Sequence, residues 1–103
     1  MLQTWIYMVV DMSCLVSKDV EYACLPGETD ILLFGTYDDA SRSVEIRTKR
    51  YRQYGYKVKY SGNGTDNDDL IFWSRYENEE GCAHILEIRK KIVYGDLFQQ
   101  DLP

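Results

Sequence analysis

The chain has 103 residues, nine tyrosines, two tryptophans and three cysteines, with an apolar share of 45% and a formal charge of −5. That length holds one domain core, and the composition excludes a disordered chain. The cysteines Cys14, Cys24 and Cys82 are odd in number and lack close pairing, which suits free thiols in a reducing compartment.

Residues 2–12 read LQTWIYMVVDM, β-branched and aromatic without a helical period, and predict a buried first strand. No basic residue precedes the apolar run, and Asp11 interrupts it after about ten residues where a membrane span needs about twenty. Neither a signal peptide nor a membrane anchor is expected, and cytoplasmic residence follows. Residues 20–25 alternate in part, Pro26-Gly27-Glu28-Thr29-Asp30 has turn chemistry, and 31–34 is apolar again. Together they predict a hairpin.

Residues 36–55 carry the clearest helical signal. Thr36 can cap, Asp38 and Asp39 sit at the positive end of the helix dipole, and Arg50 and Arg52 sit at the negative end. Tyr37, Ala40, Val44, Thr48, Tyr51 and Tyr54 share one face, and Gly55 supplies the stop. Val44, Ile46 and Thr48 also alternate as a strand would, and Ile46 lies off the helix's apolar face.

Beyond Gly55, residues 56–60 alternate tyrosine or valine with lysine, 61–69 read as a loop, 70–76 as a strand, and 77–81 as a turn. The final segment, 82–93, reads as a long strand. Its flanks, Asn78-Glu79-Glu80 and Arg89-Lys90-Lys91, would also suit a helix, against which Gly81 argues. The expected fold is a single two-layer α+β domain over 1–103, a mainly antiparallel sheet of five to six strands with one principal helix, about 37–54, on one face.

Charge is segregated along the chain. Residues 42–59 hold seven Lys or Arg and one acid, whereas the first 41 residues and those from 60 onward are each acidic. The densest acid is Asp66, Asp68, Asp69, Glu77, Glu79 and Glu80, set against Arg75 alone. On a strand 70–76 the two halves of this set lie at opposite ends, about 20–25 Å apart. Such a field repels nucleic acid and speeds encounter with a basic protein surface. The basic segment interleaves Arg47, Lys49, Arg50, Arg52, Lys57 and Lys59 with tyrosines, a composition that could neutralise phosphates and stack bases. On a helix, however, its arginines scatter around the axis rather than forming one stripe.

Catalytic and metal motifs are weak. Cys82 and His84 are two apart and share a strand face, yet no sequence motif orients the histidine. Cys14, Cys24, Cys82 and His84 lack the paired spacing of zinc ligands. The run from Gly62 to Asp69 lacks the glycine and glutamate positions of a calcium loop. No cofactor or metal is expected.

The expected function is therefore non-enzymatic protein binding. The chain would act as a small stoichiometric inhibitor or regulator whose acidic surface engages a nucleic-acid-binding partner with a basic face, as a phage-encoded inhibitor of a host defence system such as CRISPR-Cas would. The alternatives are nucleic-acid binding through 42–60, and an assembly subunit pairing through its first strand, since Trp5 to Val10 carry no lysine or proline to blunt a sheet edge.

Overall fold

The computed structural model describes residues 3–16, 24–64 and 69–94. They form β1 (Gln3–Val16), β2 (Cys24–Phe34), α1 (Tyr37–Gln53), β3 (Lys57–Asn63), β4 (Leu70–Glu77) and β5 (Cys82–Tyr94). The five strands make one antiparallel sheet in the order β2-β1-β5-β4-β3, with the helix packed on one face. The expected two-layer α+β fold is what the chain adopts, and 82–93 is strand.

The helix ends where local chemistry says it should. Thr36 Oγ1 accepts from the Asp39 amide at 3.2 Å. At the far end Gly55, at φ +89°, donates to the Arg52 carbonyl, and the Tyr56 amide donates to the Tyr51 carbonyl at 3.0 Å. This is the paired closure that a left-handed glycine permits. Ala40, Val44 and Tyr51 are buried against Val9, Tyr76, Leu86 and Ile88. Tyr54, expected on the same apolar face, is exposed because the helix has already turned off at its C-cap.

Two expectations are corrected. Pro26 to Asp30 is no turn: β2 runs unbroken from Cys24 to Phe34, and the irregular residues fall at a bulge where the register with β1 shifts between Met12 and Cys14. Ser13 holds that bulge, its Oγ accepting from the Glu28 amide at 2.9 Å and donating to the Glu28 carbonyl at 3.1 Å. Long-range pairing thus overrides local turn chemistry. The remainder of the expected strand, 20–23, lies outside the described residues. Nor does β1 lie at a sheet edge, since β2 and β5 flank it and the outer strands are β2 and β3.

The helix runs along the strands, antiparallel to β2. Its first residue, Tyr37, meets Tyr7 edge-to-face at 6.0 Å, while Tyr51 stacks on His84, the register partner of Ser13. About 21 Å of helix thus matches about 20 Å of strand. One helix is about 10 Å wide and five strands at about 4.8 Å spacing are nearly twice that, so α1, which lies nearest β1, β2 and β5, leaves part of the sheet uncovered.

Candidate functional site

Asp11, in sequence an interruption of the apolar run, is the centre of a buried polar cluster. It alternates with Val9 on the helix-facing side of β1, is only 4% exposed, and draws donors from two other elements. Arg47 Nη1 of α1 donates to Oδ2 at 2.6 Å, the Tyr51 hydroxyl donates to the same oxygen, and His84 Nδ1 of β5 meets Oδ1 at 3.0 Å. Asp30, the β2 partner of Asp11, stands 3.7 Å from Arg47.

Burial alone pushes the Asp11 carboxyl up, but hydrogen bonds from His84, Tyr51 and Arg47 outweigh it and hold the group below the ordinary aspartate value. Burial and the same carboxylate push the Tyr51 phenol well above the tyrosine range. Burial would lower the Arg47 guanidinium; its bond to Asp11 prevails and raises it. The signal for this cluster was one acid inside an apolar strand, which must find partners if it is to be buried.

Cys82 and His84 do share a face. With Ser13 and Tyr56 they line a hollow of about 280 Å³ at the end of α1. His84 turns one ring nitrogen to Asp11, lies on Tyr51 at 4.2 Å and meets Tyr56 edge-on at 5.2 Å. An acid that orients a histidine beside a thiol has parts of a nucleophile–base pair. Among the described residues, no group of three or more His, Cys, Asp or Glu side chains is placed to hold a metal ion.

The predicted acidic set divides. Asp66 and Asp68 lie outside the described residues. Asp69 binds Arg89 Nη1 at 2.9 Å and also binds Lys91, while Glu77 Oε2 stands 3.6 Å from Arg75 Nε. Glu79 and Glu80 are exposed in the β4–β5 turn and form no ion pair among the described residues. That turn is braced by Asn78 Oδ1, which accepts from the amides of Glu80 and Cys82. Among the described acids, Asp69 precedes β4 and is held by Arg89 and Lys91, whereas Glu77 closes the strand and Glu79 and Glu80 follow it.

The basic set divides as well. Arg47 turns inward to Asp11, whereas Lys49, Arg50 and Arg52 are exposed on α1. Lys57 and Lys59 ride on β3, at the opposite edge of the sheet from β2.

A different grouping emerges between α1 and β2. Arg42, Ile46 and Arg50, four residues apart on the helix, line a groove of about 470 Å³ with Leu32 and Phe34 of β2, joined by Asp39, Ser43 and Arg47. Around the helix axis the arginines are scattered, as the sequence predicts, and form no stripe of charge. The signal was a stripe of mixed character: one isoleucine off the apolar face with an arginine a turn away on each side.

No helix among the described residues is long and apolar enough to cross a membrane. Comparison with known proteins finds no family model that matches the chain, and no curated protein or solved structure that matches it.

Proposed function

We propose that the chain is a non-enzymatic protein-binding module that docks through the outer edge of β2. The observation that carries this reading is the exposure of Ile31 and Leu33, 57% and 64%, on an outer strand that pairs with β1 on one side and, on its other side, with no described strand. The first part of β2 holds Pro26, Glu28 and Asp30, residues that blunt an edge. Ile31 to Phe34 hold no charge and no proline. A stretch of apolar edge costs solubility unless something covers it.

Two further features support binding over chemistry. The buried ionisable groups satisfy one another, as a polar network that fixes the packing of α1 on β1 and β5 would. The acidic surface first expected to engage a basic partner contracts, among the described residues, to Glu79 and Glu80 as its unpaired members, a smaller footing than the β2 edge. A module of this size that works by occupancy alone acts stoichiometrically, as an inhibitor or regulator of its partner.

The test is a photo-crosslinking amino acid in place of Leu33, irradiated in an extract of the cells that make the protein. A discrete adduct, lost when Ile31 is also replaced by aspartate in a chain that still folds, is the expected result. Its absence removes the reading. The nucleic-acid alternative is checked in parallel: anisotropy of labelled single-stranded DNA or RNA at low salt is expected to stay flat, and saturable binding that strengthens as salt falls would favour the basic segment instead.

A further inference from the structure

We infer that the groove between α1 and β2 takes an extended, acidic–apolar segment of a partner protein, added to the sheet as a strand beside Ile31 to Phe34, with two carboxylates reaching Arg42 and Arg50. The inference rests on the protein-binding reading above and names the chemistry of what binds.

The geometry sets the spacing. Strand alternation puts Leu32 and Phe34 on the helix side, where they line the groove, and Ile31 and Leu33 on the opposite side. A strand laid against this edge alternates in step, so every second side chain enters the groove and the others cover Ile31 and Leu33. Arg42 and Arg50 are eight residues apart, about 12 Å along the helix axis, and the helix runs along the strands. Residues i and i+4 of an extended chain point to one side and lie about 13 Å apart. Two acids at that spacing therefore meet the two arginines, and the residue midway between them faces Ile46. The fitting segment reads acid, apolar, apolar, apolar, acid.

Charge complementarity selects this occupant over a second copy or a neutral strand. Neither Arg42 nor Arg50 has an ion-pair partner among the described residues, and both are exposed. Arg47 adds a third guanidinium to the lining, although Asp11 already holds it, and Asp39 is the one acid there. The groove is thus positive in a chain whose net charge is −5. A second copy brings to its own β2 edge Glu28 and Asp30, two residues apart where Arg42 and Arg50 call for four, with Asp30 already beside Arg47, and it repels the first through its overall charge.

The probe is a fluorescein-labelled peptide, Gly-Asp-Val-Leu-Val-Asp-Gly, titrated against the full chain at low salt. Saturable micromolar binding is expected, weakened about tenfold or more when both acids become asparagine, through loss of two charge-assisted contacts. Arg42→Glu with Arg50→Glu should weaken the acidic peptide similarly and create affinity for its Lys-Val-Leu-Val-Lys counterpart. That swap shows that loss of binding is not loss of fold. Methylating alternate backbone nitrogens of the peptide should abolish binding in one of the two phasings, because a strand donates to its neighbour from every second residue. Equal binding of acidic and neutral peptides, or no saturable binding of either, overturns the inference. A stable dimer by light scattering that Leu33→Asp dissolves also overturns it, by assigning the edge to a second copy. If the crosslink at position 33 still captures a partner while the peptides fail, the acidic-strand inference falls and the protein-binding reading stands.

Discussion

Tyr51 lies nearly flat on His84, ring centroids 4.2 Å apart and planes 21° apart, and both side chains bond the same carboxylate, that of Asp11. One aspartate therefore ties the C-terminal half of the helix to β1 and β5 together. Tyr51 also belongs to the hydrophobic cluster with Val9, Val44 and Leu86, so the polar tie and the apolar packing share a residue.

Removing the carboxylate should be costly out of proportion to its size. In Asp11→Ala the half-buried Arg47 loses its closest partner and the Tyr51 hydroxyl loses its acceptor. Breaking a buried pair from one side costs about 3–5 kcal/mol, and urea melts at neutral pH measure it. A loss under about 1 kcal/mol would mean that water replaces the carboxylate easily.

The same group sets a pH dependence with a definite sign. Because the folded protein holds Asp11 below its ordinary value, the unfolded chain binds more protons near that value, and stability there rises with pH. The contribution is complete above the ordinary aspartate pKa, about 4, and is lost as pH falls through the lowered folded value. The stability gap between the native chain and Asp11→Asn should therefore be constant near neutrality and shrink in acid. A gap that keeps its size down to about pH 2 would remove Asp11 ionisation as its source.

Local signals carried most of the fold because they are strong where the chain is regular. Thr36, Asp38, Asp39 and Gly55 mark the helix within a residue or so, the alternation in 56–60 marks one strand, and the segment 70–76, bounded by loop and turn residues, marks another. What failed was what depends on partners distant in sequence. The Pro26-Gly27 pair reads as a turn until Ser13 and β1 are alongside it. Asp11 reads as an interruption until Arg47 and His84 arrive from residues 36 and 73 positions away. Asp69 reads as free acidic surface until β5 brings Arg89 and Lys91 beside it. Strand order decides each of these, and no local pattern encodes strand order.

Ser74 offers a test of the opposite kind. Its hydroxyl is buried on β4, across from Leu86, without a hydrogen-bond partner among the described residues. An unsatisfied buried hydroxyl costs about 1–3 kcal/mol in desolvation, so Ser74→Ala should stabilise the protein by about 1 kcal/mol, net of a small cavity. Thermal and urea midpoints should rise together. A clear fall would mean that the hydroxyl is satisfied in solution.

The last prediction separates the two faces of α1. Val44 is 7% exposed and packed in the core, whereas Ile46 is 54% exposed and lines the α1–β2 groove. Val44→Asp buries a charge with no partner and leaves a void, so it should cost about 3–5 kcal/mol or prevent folding. Ile46→Asp gives up little burial. The carboxylate it introduces lies one turn from both Arg42 and Arg50, where acid–base pairs contribute about 0.2–0.5 kcal/mol each and offset the poorer helix propensity. Its stability should stay within about 1 kcal/mol of the native chain. Arg42→Asp sits on exposed surface and should also be mild, costing its helical neighbour relation with Asp38 and a like-charge term of similar size. Were 42–50 a strand, Val44 and Ile46 would share a face and fail together. Equal large losses at both positions in urea melts would therefore overturn the helix. The expected pattern, a severe loss at Val44 alone, also leaves Ile46→Asp as a folded variant whose groove has changed from apolar to acidic, and such a variant should repel the acidic peptide while keeping its melting transition.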